Sequence, residues 1–309
     1  MSEAMATLPP AVSVWTLRWR RLRRDRAALA GGAVLLAMVA LCLASPWFER
    51  ALGVSASDTD LFNRFQPSDA SHLLGSDDAG RDEFTRLLAA GWISLSIGLL
   101  GALGASLVGT LIGAIAGMSR GWVDMVLMRF TDGIIALPTL PLLIILAALD
   151  LSKLGFSQEF IRSGAAGYWR IVLIVTLLGW TGVARLVRAG TLALAEREFV
   201  LAARTQGASA WWIIRVHILP NTVSPIIVAT TLAMGRVILA ESALSFLGVG
   251  IQPPQSSWGS MLTNAQELIS TAPELALYPG ALILITVVAI NFLGDGLQAA
   301  FDPREDARG

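Results

Sequence analysis

The amino-acid sequence predicts an all-α polytopic membrane protein with six transmembrane helices. Of its 309 residues, 54% are hydrophobic and only 15% are charged, whereas soluble domains carry roughly a quarter charged residues. The mean hydropathy is +0.63. The sequence contains long uncharged runs, and a run of about 20 apolar residues is enough to cross a bilayer as a helix.

The uncharged runs predict the positions of the membrane spans. The first membrane anchor is predicted over residues 27–46. The other five spans belong to a transmembrane domain of residues 87–300 and are predicted at about 87–118, 126–149, 168–187, 222–246 and 275–297. The fourth has the shortest uncharged run, Ile171 to Ala184, which suffices only if the helix tilts or its flanking arginines reach the interface. Pro138 and Pro141 remove backbone donors and should kink or break the third span.

Arginine distribution predicts the orientation. Residues 1–26 form an Arg-rich tail with six arginines, whereas residues 48–83 carry eight acids and three arginines. Because short cationic loops remain in the cytoplasm, this tail, the insert of residues 191–221 and the tail of residues 301–309 are predicted inside. The acidic loop of residues 47–86 is predicted outside, as is a polar loop in which Trp258 lies at the interface.

Several kinds of chemistry are excluded. Lys153 is the only lysine, with no glycine before it and no serine or threonine after it, so the chain lacks a phosphate-binding Gly-Lys-Ser/Thr motif. Cys42 is the single cysteine, which excludes an internal disulfide or a thiolate metal cluster. His72 and His217 are predicted on opposite sides of the membrane. We therefore expect no catalytic residues, no metal site and no cofactor in this chain.

The cytoplasmic insert has a helix–glycine–helix pattern. Helix-favouring residues dominate 191–206, and Gly207 is suited to end that helix in a left-handed conformation. Ser209 can cap a second helix through Ile218, and Pro220 opposes its simple continuation. The small residues of the insert suit a surface that fits a partner's groove. Alternatively, the apolar run Trp211–Ile214 predicts a helix lying on the membrane.

Ionisable residues at membrane depth are costly and need partners. Four are predicted there, either in interhelical ion pairs or along a path for a polar solute: Asp132, Arg236, Glu241 and Asp295. Arg236 and Glu241 are five residues apart, a poor spacing for a direct pair on one helix. The second span also carries small residues at every fourth position from Gly101 to Gly117, which predicts either packing within the subunit or a seam with a partner.

Five ordered stretches carry a family resemblance over nearly the whole chain: residues 72–95, 121–138, 198–220, 241–262 and 291–304. Together they resemble the second, C-type, permease subunit of dipeptide, oligopeptide and nickel ABC importers, with residues 198–220 as its EAA loop. The general EAA pattern has glutamate directly before the alanines. Here Leu201 takes that place, Glu198 stands four residues before Ala202, and His217 replaces an apolar residue.

The resemblance implies a type I ABC transmembrane fold in a bacterial inner membrane. It implies a permease that imports a solute, most simply a di- or oligopeptide, although nickel, opines and glutathione stay open. The implied partners are a homologous permease, two cytoplasmic ATPases that hold ATP and Mg²⁺, and an extracytoplasmic binding protein, with no nucleic acid. The implied ATPase-coupling residues are Glu198, Ala202, Ala203, Arg204, Thr205, Gln206, Gly207, Ala208, Leu219 and Pro220. The alternative is a self-sufficient carrier or channel that uses Asp132, Arg236 and Glu241.

Overall fold

A computed structural model describes residues 14–301 apart from residues 150, 156, 163 and 264. Over these residues the chain is helical and has no strand. Its α-helices are α1 (Val14–Leu22), α2 (Arg26–Leu43), α3 (Ser45–Leu52), α4 (Glu83–Ser119), α5 (Gly121–Ala136), α6 (Thr139–Ala147), α7 (Gln158–Arg162), α8 (Gly164–Ala195), α9 (Glu198–Thr205), α10 (Ala210–Ile213), α11 (Leu219–Phe246), α12 (Trp258–Met261), α13 (Ala265–Leu268) and α14 (Glu274–Phe301).

Length and composition identify the membrane spans within the described part of the chain. Five helical segments qualify, namely α2, α4, α8, the continuous segment from α10 through α11, and α14. The bent pair of α5 and α6 supplies a sixth crossing if the two are counted as one span. The prediction of an all-helical protein with multiple spans is therefore confirmed.

The third span is broken where the sequence predicts it. Helices α5 and α6 meet at an angle of 88°, and Pro138 lies between them in an extended conformation. Pro141 falls within the first turn of α6, where a missing backbone N–H costs no intrahelical hydrogen bond. The break therefore lies at Pro138 alone.

The fourth span is much longer than its uncharged run suggests. Helix α8 has 32 residues, although Arg170, Arg185 and Arg188 lie within it. Each arginine has a hydrogen-bond acceptor on another part of the chain: Arg170 donates to the carbonyl of Val249, and the other two donate to aspartates of α5. These partners show how the three charges are accommodated within the helix.

The stripe of small residues on α4 packs against α8 in the same chain. A Cβ added at Gly109 would lie 2.5 Å from the carbonyl oxygen of Trp180, and one at Gly117 would lie 2.7 Å from the Cβ of Thr191. The two helix backbones approach so closely that side chains larger than hydrogen do not fit at these positions. Of the two interpretations of the stripe, packing within the subunit is the one the structure supports.

Helix α11 packs against α4, α8 and α14. A Cβ at Gly98 of α4 would lie 2.6 Å from Ile238 of α11. The first span, α2, packs against α14, where a Cβ at Gly31 would lie 2.5 Å from the carbonyl oxygen of Ala289, and against α4, where a Cβ at Gly91 would lie 2.5 Å from the sulfur of Cys42.

The segment after α11 folds back into the bundle, so the predicted interfacial position of Trp258 is wrong. Only 1% of Trp258 is exposed. Its indole N–H donates to the carbonyl of Leu87 at 2.9 Å, and its backbone N–H donates to the Ser94 hydroxyl at 3.1 Å. A buried carbonyl on α4 accepts the hydrogen bond of the indole N–H, so burial of this side chain is more favourable than a position at the membrane interface.

The acidic segment before α4 is ordered by its own charges. Asp82 caps α4 by accepting hydrogen bonds from the Thr85 amide at 2.8 Å and the Thr85 hydroxyl at 2.7 Å, so this helix begins four residues before the predicted boundary at residue 87. Asp77 accepts hydrogen bonds from Arg81 and Arg86. Donation from the His72 backbone N–H lowers the pKa of Asp69, which favours an anionic surface here.

Candidate functional site

The insert of residues 191–221 contains a short turn that the sequence did not predict. Helix α8 ends at Ala195, and α9 begins at Glu198. Arg197 separates the two in an extended conformation, with φ of −74° and ψ of 144°. The single helix predicted over residues 191–206 is therefore two helices, and α9 is free to run in its own direction.

Gly207 ends α9 as predicted. Its φ is +84°, the left-handed region that favours glycine. The N–H of Gly207 donates to the carbonyl of Arg204, and the N–H of Ala208 donates to the carbonyl of Ala203, both at 3.0 Å. Ser209 then caps α10 by accepting a hydrogen bond from the Trp212 amide at 3.3 Å, which confirms the second predicted cap.

The second helix of the insert does not stop at Pro220, contrary to the prediction. A π-helical turn over Ile214–Ile218 joins α10 to α11. In this turn the N–H of Leu219 donates to the carbonyl of Ile214, five residues earlier. Pro220 lies in the first turn of α11, where the wider turn removes the need for its missing donor. The insert is thus continuous with the fifth span.

Apolar side chains hold the insert against the inner ends of α4 and α8. The buried members from the insert are Val200, Ala203, Ile213, Ile214 and Ile218, and those from the two spans are Ala114, Met118, Val183 and Val187. The Arg204 guanidinium also lies 2.9 Å from the sulfur of Met118. Since Ile213 and Ile214 are buried here, half of the Trp211–Ile214 run is unavailable for lying on a membrane.

The outward face of the insert contains most of the predicted coupling residues. The exposed ones are Glu198, Ala202, Arg204, Thr205, Gln206, Gly207 and Pro220, and Ala208 and Leu219 are half-buried. Ala203 is 9% exposed and faces the bundle. Its prediction as a surface residue is corrected, because its small side chain fits the packed core beneath α9.

Aromatic residues on the same face were missed by sequence reasoning. Phe199, Trp211 and Trp212 are 44%, 54% and 47% exposed. The rings of Phe199 and Trp212 lie 5.4 and 5.2 Å from the imidazole of His217. The signal was available as two consecutive tryptophans in a segment predicted to be cytoplasmic. Exposed aromatic side chains next to polar ones are typical of protein interaction surfaces.

Of the four ionisable residues predicted at membrane depth, Asp132 forms an ion pair. Its Oδ1 accepts a hydrogen bond from Arg185 Nη2 at 2.5 Å. Arg236 and Asp295 are exposed. Within the described residues, neither has an oppositely charged side chain at ion-pair distance, and Arg236 does not pair with Glu241. An ion pair between Arg236 and Glu241 inside this chain is therefore not part of the fold.

Glu241 is fully buried and bonds to hydroxyl groups. Its Oε1 accepts from Ser245 at 2.7 Å and its Oε2 from Ser94 at 3.3 Å. The same two serine oxygens accept the backbone N–H groups of Ile251 and Trp258. The carboxylate therefore links α4, α11 and the segment that folds back after α11.

A cavity of about 330 Å³ lies where the break in the third span faces α4, α8 and α11. Small side chains line much of it, among them Ala105 and Gly182. Arg185 of α8 and Arg236 of α11 line it as well. The site thus combines a cavity lined by arginines with the exposed surface of the insert on one continuous helical segment, from α10 through α11.

Comparison with known proteins identifies this arrangement. Residues 109–306 match the family described as binding-protein-dependent transport system inner membrane component. The chain belongs to this family of permeases. Residues 13–67 match the N-terminal transmembrane domain of oligopeptide transport permease C. The permease is therefore a multi-pass inner membrane protein, as the resemblance implied.

Curated relatives match the permease along nearly its whole length. It is 35% identical to a dipeptide transport system permease protein of Alkalihalophilus pseudofirmus, over 95% of this chain and 91% of the relative. It is 36% identical to a glutathione transport system permease protein of Pectobacterium atrosepticum, over 97% and 96%. A dipeptide transport system permease protein of Bacillus subtilis is 37% identical, over 98% and 89%.

A solved structure shares the fold. A chain of the methionine ABC transporter in its inward-facing conformations superposes with a TM-score of 0.53, at 17% identity, over 70% of this permease and 96% of that chain. This likeness supports the type I ABC importer fold. The family match and the curated relatives show that the chain is a transmembrane permease subunit of an ABC importer, which replaces the alternative of a self-sufficient carrier or channel.

Proposed function

We propose that this permease imports di- or oligopeptides through a path formed with a homologous permease. Two cytoplasmic ATPases, which hold ATP and Mg²⁺, drive the cycle, and an extracytoplasmic binding protein delivers the solute. The names of three relatives support the solute class, since two are dipeptide permeases and one is a glutathione permease. Glutathione is itself a modified tripeptide with free carboxylates. Catalysis belongs to the ATPases and not to this chain.

The observation that carries the coupling proposal is the geometry around Gly207. Two short helices meet at this exposed left-handed residue, and a Cβ there would have no neighbour within 4 Å in this chain. The face around it is polar and aromatic, and the opposite face is packed into α4 and α8. Because packed cores transmit displacement instead of absorbing it, a push by a docked ATPase moves both spans and the continuous α11.

The arginine distribution supports the orientation of this arrangement. With both termini and the insert in the cytoplasm, the exposed face of α9 is on the side where the ATPases are. The acidic segment before α4 is then outside, where the binding protein docks.

The experiment replaces Gly207 with leucine in the complex reconstituted with its partner permease, ATPases and binding protein. A β-carbon at φ of +84° adds strain of about 1–3 kcal/mol, which a bundle of this size tolerates. We expect the subunit to insert and to pair with its permease partner, and to lose both stimulated ATP hydrolysis and uptake of a defined dipeptide mixture.

Gly53→Leu is the matched control. Gly53 has φ of +68° and also has no neighbour within 4 Å of an added Cβ, but it lies in the acidic segment predicted outside. Leucine at this position imposes similar backbone strain far from the proposed ATPase surface, so uptake should persist. Undiminished ATP-driven uptake by Gly207→Leu would mean that the insert does not couple.

The solute assignment is tested separately with the unmodified complex. Proteoliposomes supplied with an equimolar mixture of dipeptides should accumulate some of them when ATP is present, as measured by mass spectrometry of the vesicle contents. Stimulated ATP hydrolysis with no accumulation of any peptide would overturn the peptide assignment and leave the coupling proposal intact.

A further inference from the structure

The membrane cavity beside the broken third span has an unusual charge composition. The charged side chains among its described lining residues are two arginines, Arg185 and Arg236, and none of those residues is acidic. Arg185 is already engaged by Asp132, which lies just outside the lining. Arg236 has no carboxylate at ion-pair distance within the described chain. The cavity therefore carries one uncompensated positive charge.

The position of Arg236 on α11 keeps its side chain from reaching the lipid headgroups easily. It lies 26 residues after Ala210 and 10 residues before Phe246, the two ends of the continuous segment formed by α10 and α11, so neither end is near. A side chain close to an end can extend to the lipid headgroups, but one this far inside cannot reach them easily. An uncompensated guanidinium at this depth is costly, and an anion that enters the cavity would relieve the cost.

The surroundings of Arg236 leave its guanidinium accessible. Arg236 is exposed, and four of the lining residues on α11 and α8 are small, namely Ala233, Ala240, Gly179 and Gly182. A Cβ at Gly182 would meet nothing within 4 Å. Thr139 and Thr181 also line the space. A planar guanidinium presents two parallel donors to a carboxylate, and a hydroxyl can donate to the same group.

We propose that this cavity binds a carboxylate group of the solute during translocation, with Arg236 as the binding residue. The proposal deepens the proposed function and rests on it, because it takes the chain to be the permease of a peptide importer. It restricts the solutes to those with a free carboxylate. A rival explanation is that Arg236 pairs with an acidic residue of the partner permease.

The first test measures the charge preference of the cavity without relying on transport. Gly182→Cys is placed in a Cys42→Ala background within the assembled complex. Its reaction rates with an anionic sulfonatoethyl and a cationic trimethylammonioethyl methanethiosulfonate are compared. We expect Arg236→Gln to lower the anionic-to-cationic rate ratio about tenfold, since charged clefts concentrate counter-ions by at least that factor. Arg129→Gln, which changes an exposed arginine of α5 that does not line the cavity, should leave the ratio unchanged.

The second test measures uptake of the dipeptide mixture by the reconstituted complex. Arg236→Gln should raise the KM at least tenfold with assembly intact, and Arg236→Lys should raise it less because the charge remains. An unchanged rate ratio and KM in Arg236→Gln would overturn the proposal. So would inaccessibility of position 182 to both reagents, or loss of assembly in Arg236→Gln that Arg236→Lys restores, because that pattern indicates an ion pair with the partner. If the unmodified complex imports no dipeptide, the proposed solute class fails, and the labelling ratio still decides whether the cavity attracts anions.

Discussion

Arg188 of α8 holds Asp124 of α5 through two hydrogen bonds, Nε to Oδ1 at 2.5 Å and Nη2 to Oδ2 at 2.6 Å. Two turns further along α5, Asp132 accepts a hydrogen bond from Arg185. The two pairs fasten α5, the first half of the broken third span, to α8, the helix that also supports the insert. These charged contacts therefore connect the helix beneath the insert to the break at Pro138.

Breaking the Arg188–Asp124 pair should loosen α5 from α8. A double-mutant cycle with Asp124→Asn, Arg188→Gln and the double variant should give a coupling free energy of about 1–3 kcal/mol, since bidentate charge-assisted bonds are among the strong ones. Thermal unfolding of the purified permease pair measures it. The control is the pair Arg120–Glu196, with side chains 46% and 74% exposed, whose coupling should be about 0–1 kcal/mol. Equal couplings for the two pairs would contradict the prediction.

The Glu241→Gln variant should remain stable, whereas the Glu241→Leu variant should be destabilised. In Glu241→Gln the amide oxygen still accepts from one serine and the amide nitrogen can donate to the other. Glu241→Leu leaves the hydroxyls of Ser94 and Ser245 without an acceptor inside the bundle, at a cost of about 1–3 kcal/mol. The leucine variant should also release the segment around Trp258, seen as greater quenching of tryptophan fluorescence by acrylamide. Equal stability of the two variants would count against a role for the hydroxyl network.

Gly109→Ala should separate α4 from α8. The added methyl group would lie 2.5 Å from the carbonyl oxygen of Trp180, and overpacking of this kind costs about 1–3 kcal/mol. The control is Gly133→Ala in α5, where a Cβ meets nothing within 4 Å. Alanine there should be neutral or stabilise the helix by about 0.5–1 kcal/mol. Unfolding midpoints of the two purified variants in the same lipid compare the effects, and equal midpoints would argue against the close α4–α8 packing.

Orientation can be tested by labelling single cysteines in a Cys42→Ala background. Thr59 and Gln206 are both exposed, and they lie in the segments predicted outside and inside. A membrane-impermeant maleimide applied to intact spheroplasts should label Thr59→Cys and leave Gln206→Cys unlabelled until the membrane is permeabilised. Labelling of Gln206→Cys in sealed spheroplasts would reverse the topology and remove the insert from the ATPase side.

Features governed by a few neighbouring residues were predictable. Pro138 breaks its span and Gly207 and Ser209 cap the helices of the insert, because missing donors, positive φ and side-chain caps act within one helical turn. The exposed face of the insert was located by the same local pattern. Its aromatic part was not, since exposure of Trp211 and burial of Ile213 depend on where α4 and α8 lie.

Contacts between distant residues were not predictable. Asp124 and Arg188 are separated by 64 residues, and Ser94 and Glu241 by 147. Trp258 was placed at an interface because its flanking residues are polar, but its partners are on α4. Ala203 was placed on a surface because it is small, yet small residues serve equally well beneath a packed helix. In each case the deciding neighbour comes from another part of the chain.

Insertion into the membrane follows from composition and arginine placement, because the bilayer acts as a solvent on each segment separately and excludes charge wherever it occurs. Whether a charged side chain within a membrane-spanning helix has an oppositely charged partner depends on how the helices pack. Arg185 and Arg188 meet carboxylates on α5, whereas Arg236, one helix away, faces an open cavity. The free energy of a buried charge is set by groups within a few ångströms, and those groups are brought together only when the bundle forms.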